Sequence, residues 1–324
     1  MHKEYALNKF FPLGLFIILV TSSVFAKETV LPTKFENNQI FLVPTLSDNT
    51  PVRFFTDTGG GFNAISKELY EIYKWPTLLK IDGKDKVALS AMPNFQKGKS
   101  IPIGGINNYM EGHLFIESQE NISKNSKVDG FLGGRWHAEK IIKFDYINKS
   151  MSVYNSIDNV GIEQFHCLKL GFQKDDEKYT TAFPSIEIKV LDTILPMLFD
   201  TGATARLSTE AKVILENNSS EIGTSYIVSS IFDKWRNENP KWQVIKNADL
   251  LSGEAMIKVP EVQIGSITVG PVWFTRRADE NFHDFMSSMM DRKVEGAIGG
   301  SLLKYLRVVI DYPKEIAYVS DKSA

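Results

Sequence analysis

Along most of the chain, apolar and polar side chains alternate with a period of two, and the runs are broken every few residues by Gly, Pro, Asn or Asp. That pattern predicts short antiparallel strands rather than helices. The clearest run is Ser185-Ile186-Glu187-Ile188-Lys189-Val190, which with a turn near Asp192-Thr193 reads as a hairpin. Gln39-Ile40-Phe41-Leu42-Val43 with a turn at Asp48-Asn49 reads the same way. Further candidates are Ile101 to Gly105 and Val262 to Ser266, followed by His113 to Ile116 and Val272 to Phe274. Two short helices are expected where a serine takes the N-cap position, Ser66-Lys67-Glu68-Leu69 and Ser208-Thr209-Glu210-Ala211.

These elements occur twice. Val128-Asp129-Gly130-Phe131-Leu132-Gly133-Gly134 aligns with Val294-Glu295-Gly296-Ala297-Ile298-Gly299-Gly300, and the register continues without a gap through Phe144-Asp145-Tyr146 against Ile310-Asp311-Tyr312, at an offset of 166 residues. Upstream, Phe55-Thr56-Asp57-Thr58-Gly59 matches Leu198-Phe199-Asp200-Thr201-Gly202 at an offset of 143, so the second half carries an insertion. The expected architecture is mainly β, in two homologous lobes over 27–160 and 181–324. The solvated run Lys174-Asp175-Asp176-Glu177-Lys178 marks the connection over 161–180, and the insertion falls near 213–258. Asn217 to Pro260 is the least repeat-like part, and its aromatic residues Tyr226, Phe232, Trp235 and Trp242 have spacings that suit a helical insertion packing its aromatics, with a substrate-contacting lid as the alternative.

Residues 1–26 read as a secretory signal peptide: Lys3 and Lys9, an apolar stretch from Phe10 to Val20, and Val24 and Ala26 before the cleavage point. An exported protein, periplasmic or secreted, is therefore expected. The formal charge of −2 gives no reason to expect nucleic acid or an anionic membrane surface as partner. Cys167 is the only cysteine, so no intramolecular disulfide is available, and the alternation Phe165-His166-Cys167-Leu168 predicts a buried structural thiol. The five histidines show no His-Glu-x-x-His or paired ligand spacing, so no zinc site is expected.

One Asp-Thr-Gly reads as a turn. Two copies, each after an apolar strand and each followed by an apolar-apolar-Gly-Gly segment, point to a shared site. In these residues the chain resembles the pepsin-like and retroviral-type aspartic proteases, over essentially its whole length after the signal peptide. The resemblance implies that Asp57 and Asp200 form a catalytic pair across a pseudo-twofold axis, with Thr58 and Thr201 cross-bracing their loops. Gly133 and Gly299, in the apolar-apolar-Gly elements, would support those loops. It implies an endopeptidase acting on peptide or protein substrates as a monomer, with no metal or cofactor. Gly59 and Gly202 fit a chain that turns sharply with its backbone against carboxylates.

The departures carry information too. Gly60 and Ala203 stand where pepsin-like sequences place a hydroxyl residue that donates to the catalytic carboxylate. Fewer donors to the charged form leave the pair less acidic, which predicts activity extending toward neutral pH. The covering flap is expected around Ala91 to Gly98, without its usual tyrosine; Tyr109 is a weaker candidate for that role. With only thirty residues between Ala26 and Asp57, a long inhibitory pro-segment is not expected. The missing hydroxyls and flap tyrosine motivate one alternative, a catalytically inactive peptide-binding or inhibitory protein of the same fold.

Overall fold

The computed structural model describes residues 28–82, 85–105, 110–123 and 127–321. The expected signal peptide and Tyr109 lie outside them. Among the described residues no helix is long and apolar enough to cross a membrane. The chain is mainly β, as its period-two pattern requires.

The first half forms an eight-stranded sheet from β1 (Thr33–Glu36), β2 (Gln39–Leu42), β3 (Phe54–Thr56), β4 (Asn63–Ser66), β5 (Thr77–Asp82), β6 (Asp85–Ser90), β7 (Leu114–Glu117) and β8 (Gly130–Leu132). Its spatial order is β1-β2-β3-β8-β4-β7-β6-β5. The second half forms a nine-stranded sheet from β9 (Ser185–Val190), β10 (Thr193–Phe199), β11 (Ser225–Val228), β12 (Val244–Asp249), β13 (Glu254–Val259), β14 (Val262–Ile264), β15 (Ile267–Val269), β16 (Val272–Arg277) and β17 (Gly296–Ile298). Its order is β12-β13-β16-β11-β17-β10-β9-β14-β15.

The two pairing sequences match in direction. In each, the strand entering the Asp-Thr-Gly runs parallel to the strand leading to the Gly-Gly: β3 with β8, and β10 with β17. The latter then pairs antiparallel with β4 or β11, which in turn runs parallel to β7 or β16.

The match relocates the insertion. Between the Asp200 loop and β11 lie a strand (Thr204–Arg206), a helix (Thr209–Ile214) and another strand (Glu221–Gly223), with no equivalent between the Asp57 loop and β4. The additional segment is therefore 204–223, not 213–258. The helix after β4 (Lys67–Tyr73) corresponds to Ser229–Glu238 after β11, rather than to the helix capped by Ser208. Ser66 and Ser208 both accept from a backbone N–H three residues on, and this shared cap chemistry made unrelated helices look alike. Within 217–260, only Phe232 and Trp235 are on the expected helix, and both are buried. Tyr226 is on β11, and residues 244–259 are mostly the β12–β13 hairpin.

Two further expectations are corrected. Ile101 to Gly105 is not a strand; it is irregular chain, fixed in part by Trp136, whose Nε1 donates to the Pro102 carbonyl at 2.9 Å. Cys167 is exposed. It lies on the strand His166–Lys169, which pairs on one side only, with Ile316–Ser320, so its alternation reflects strand geometry without burial.

A six-stranded sheet, in the order Glu28–Val30, Ser150–Tyr154, Ile141–Asp145, Arg307–Asp311, Ile316–Ser320, His166–Lys169, takes strands from both halves. At its centre Ile141–Asp145 runs antiparallel to Arg307–Asp311 with Lys143 opposite Val309. These two are repeat equivalents at the 166-residue offset, so the two copies meet at matching positions. One large apolar core, including Leu132, Trp136, Phe144, Phe199, Phe274 and Ile298, runs beneath all three sheets. Phe144 touches Phe199 with ring centroids 5.8 Å apart, directly below the loops described next.

Candidate active site

Each Asp-Thr-Gly turns at the end of its apolar strand. The Asp57 N–H donates to the Leu132 carbonyl at 2.9 Å and the Asp200 N–H to the Ile298 carbonyl at 2.9 Å, so the strand beside each loop fixes its aspartate backbone. Each carboxylate then accepts from the glycine two residues on, Gly59 to Asp57 Oδ1 at 2.8 Å and Gly202 to Asp200 Oδ1 at 2.9 Å.

The two loops are locked by a reciprocal set of buried hydrogen bonds. The Thr58 N–H donates to Thr201 Oγ1 at 3.1 Å, and the Thr201 N–H donates to Thr58 Oγ1 at 3.0 Å. Thr58 Oγ1 in turn donates to the Phe199 carbonyl at 2.7 Å, and Thr201 Oγ1 to the Thr56 carbonyl at 3.1 Å. Both threonines are fully buried. Every bond has its counterpart at the 143-residue offset read from the repeat.

The result is a pair of carboxyl groups, Asp57 and Asp200, within hydrogen-bonding reach of each other. Asp200 is only 9% exposed. Burial is the first cause that pushes both groups above the ordinary carboxylate range, and Asp57 is raised further by facing Asp200. For Asp200 the hydrogen bond with the Asp57 carboxyl opposes this rise, and the Gly59 and Gly202 N–H groups oppose it in part by donating to the charged forms of Asp57 and Asp200. The pair therefore holds one proton over a wider pH range than isolated carboxyls would.

The glycines are dictated by this approach. A Cβ on Gly202 would lie 2.1 Å from Asp57 Cγ, and one on Gly59 would lie 3.0 Å from Asp200 Cγ, so each backbone lies against the opposite carboxylate. Gly133 and Gly299 back the loops: added Cβ atoms would sit 2.4 Å from the Gly60 carbonyl oxygen and 2.9 Å from that of Asp200. Their N–H groups are held by side chains at the start of β4 and β11, Asn63 Oδ1 at 2.9 Å and Ser225 Oγ at 3.0 Å. Gly60 has a local reason to lack a side chain, since its Cβ would fall 2.5 Å from the Phe131 ring, which stacks on Phe62.

Two cavities of about 210 Å³ flank the carboxylates. One is lined by Gly202 together with Phe41, Phe55, Ile122 and Val128; the other by Gly59 and Asp200 together with Tyr226, Phe282, Phe285 and Met286. The second rests on a π-helical turn, Asn281–Met286, that no periodicity in the sequence announces. Arg277 packs over the Tyr226 ring at 4.1 Å and pairs with buried Asp249 at 3.0 Å. Gln39 Nε2, on the eight-stranded sheet, reaches the inserted segment of the second half by donating to Thr204 Oγ1 at 2.8 Å. The segment Ala91 to Gly98, where a covering flap is expected, is not a hairpin. It is tied down at Gln96 and Phe95, through the Thr45 carbonyl and a bridge to Leu46, and the β5–β6 hairpin precedes it instead.

No family model matches the chain, and no curated protein does. Among solved structures, conglutin gamma, a basic 7S globulin from lupine seeds, is similar with a TM-score of 0.47 and 10% identity, covering 91% of this chain and 95% of that one.

Proposed function

We propose that the chain is an aspartic endopeptidase of two homologous lobes related by a pseudo-twofold axis. The observation that carries this reading is the meeting of two buried carboxyl groups, each on an Asp-Thr-Gly loop, braced by hydrogen bonds that repeat in both directions. The twofold relation is supported by the matching order and direction of the strands β2-β3-β8-β4-β7 and β9-β10-β17-β11-β16, and by the pairing of repeat equivalents at Lys143 and Val309.

Two carboxyl groups this close do not both ionise cheaply, the effect for which aspartic proteases are the standard case. One stays protonated while its partner accepts a proton from a water held between them. That water attacks the peptide carbonyl, and the protonated carboxyl hydrogen-bonds the developing oxyanion. The proton taken from water then passes to the leaving nitrogen, which regenerates the pair. The flanking cavities, largely apolar, receive substrate side chains on either side of the bond cut. Export through the N-terminal signal, a peptide or protein substrate, and action as a monomer without metal or cofactor belong to the same proposal.

The test is incubation with a mixed peptide library from pH 3 to 8, beside Asp57→Asn and Asp200→Asn variants. Cleavage lost in both variants supports the pair. Cleavage that survives either substitution refutes it, and folded wild-type protein that binds peptides without cutting them establishes the binding alternative.

A further inference from the structure

The largest cavity described is not in the active-site cleft. It encloses about 470 Å³ where the Asn38 turn of the first half meets the second half, between the inserted segment, β13, β16 and the helix Gly300–Leu303. Its volume lies within the range of small-molecule sites. The Asn38 carbonyl reaches this junction because nothing projects from Gly223 and Gly300, where added Cβ atoms would lie 2.4 and 2.2 Å from its oxygen. Asn37 ties the same turn down, with its carbonyl accepting from the Gly223 N–H at 2.7 Å and its Oδ1 accepting from Ser219 Oγ at 2.8 Å.

Two lysines from separate elements line the cavity, Lys258 on β13 and Lys304 after the helix. Among the described residues neither makes an ion pair, and each ammonium lies over an aromatic ring, 5.8 Å from Trp273 and 4.8 Å from Tyr305. Burial holds Lys304 below the usual lysine range, the behaviour of a cation lacking a counter-charge. The one carboxylate on the lining, Glu216, is exposed at the rim. Met256 and Trp273 supply an apolar wall. Two cations without a carboxylate partner, beside the apolar surface of Met256 and Trp273 in a half-open, largely polar cavity, complement a ligand with an anionic head and a short apolar body.

We propose that this cavity binds a small amphipathic anion, a carboxylate or phosphate monoester, held by Lys258 and Lys304 and packed against Trp273. The site is separate from Asp57 and Asp200 and does not depend on their proposed activity. Because Asn38 contributes one wall, an occupant touches both halves of the chain.

The test is calorimetric titration of the full chain with four probes: 3-phenylpropionate, phenyl phosphate, inorganic phosphate and the uncharged 3-phenylpropanamide. The expected result is saturable one-site binding of an aromatic anion, at least tenfold weaker binding of the amide and of inorganic phosphate, and affinity that falls with added salt. The carboxylate and phosphate arms show which head group is preferred. Lys258→Met and Lys304→Met should each weaken binding about tenfold, as expected for loss of one charge-assisted hydrogen bond, while Lys241→Met on the exposed surface leaves it unchanged. Lys258→Arg and Lys304→Arg keep the charge and should retain most of the affinity, so they serve if the methionine variants fail to fold. Equal binding of the amide, unchanged affinity in both methionine variants, or no saturable heat up to about 20 mM probe overturns the proposal.

Discussion

Replacing Thr58 by valine removes one oxygen, keeps the side-chain shape and breaks the lock between the two loops. Thr58 Oγ1 serves two buried backbone groups in the opposite half, accepting from the Thr201 N–H at 3.0 Å and donating to the Phe199 carbonyl at 2.7 Å. A valine methyl there leaves both without that partner, at about 1–3 kcal/mol each, so Thr58→Val should cost about 2–6 kcal/mol. At roughly 2–4 °C per kcal/mol, the melting temperature should drop by about 4–24 °C. Thr201→Val should cost a similar amount, because its Oγ1 accepts from the Thr58 N–H and donates to the Thr56 carbonyl. The four bonds share two loops, so the double variant should cost less than the sum, with a coupling of about 1 kcal/mol or more. Urea unfolding of the two single variants and the double variant measures this directly. Single variants within 0.5 kcal/mol of wild type (roughly the spread of neutral surface changes), or strict additivity, would refute the idea that the lock holds the halves together.

Other expectations are as specific. Because burial raises the Asp57 and Asp200 carboxyls, the folded state holds the proton of the pair more tightly than the unfolded chain; its favourable contribution is complete below the unfolded value near pH 4 and is lost as pH rises through the folded one. Asp200→Asn should therefore gain stability relative to wild type between pH 4 and 7, by at most about 1.4 kcal/mol per pH unit, and thermal melts showing no pH-dependent difference would count against the raised value. His137 has the opposite sign: buried, with Nδ1 on the Gly133 carbonyl at 2.8 Å and its value pushed down to about 3, it stays neutral while the unfolded chain takes up a proton below about pH 6.5. Stability should fall with acid in that window for wild type and fall less in His137→Asn, as urea midpoints from pH 7 to 4 would show. Gly60→Ser, which restores the missing hydroxyl, should cost about 1–3 kcal/mol by driving into the Phe131 ring, and Phe131→Leu in the same chain should recover part of it. If the peptidase reading holds, the pH profile should extend toward neutrality, and a sharp peak below about pH 3 would contradict the role given to Gly60 and Ala203.

The paired Asp-Thr-Gly loops, the hairpin Ser185 to Phe199 and the serine caps at 66 and 208 were all legible in the sequence, because each depends on local chemistry: period-two burial, a turn, a side-chain oxygen at a helix start. What escaped depends on neighbours far along the chain. Alternation at His166–Lys169 looks like burial, yet only the sheet order makes that strand an edge and exposes Cys167. The place of the insertion required knowing that β11, and not Thr204–Arg206, pairs with β17. Tyr226, Phe282 and Met286 gather beside Asp200 from a strand and a π-helical turn with no common period. The reason for Gly60 is a ring 71 positions away in the chain.

The six-stranded sheet has a consequence for how the molecule comes apart. Ile141–Asp145 from the first half and Arg307–Asp311 from the second lie at its centre, and His166–Lys169 attaches outside the C-terminal strand. If either half opened alone, the other would be left with a bare strand edge and a stripped apolar face, a state that invites pairing with other chains. The shared sheet thereby couples the halves, so a calorimetric scan should show one transition although each half carries its own large sheet.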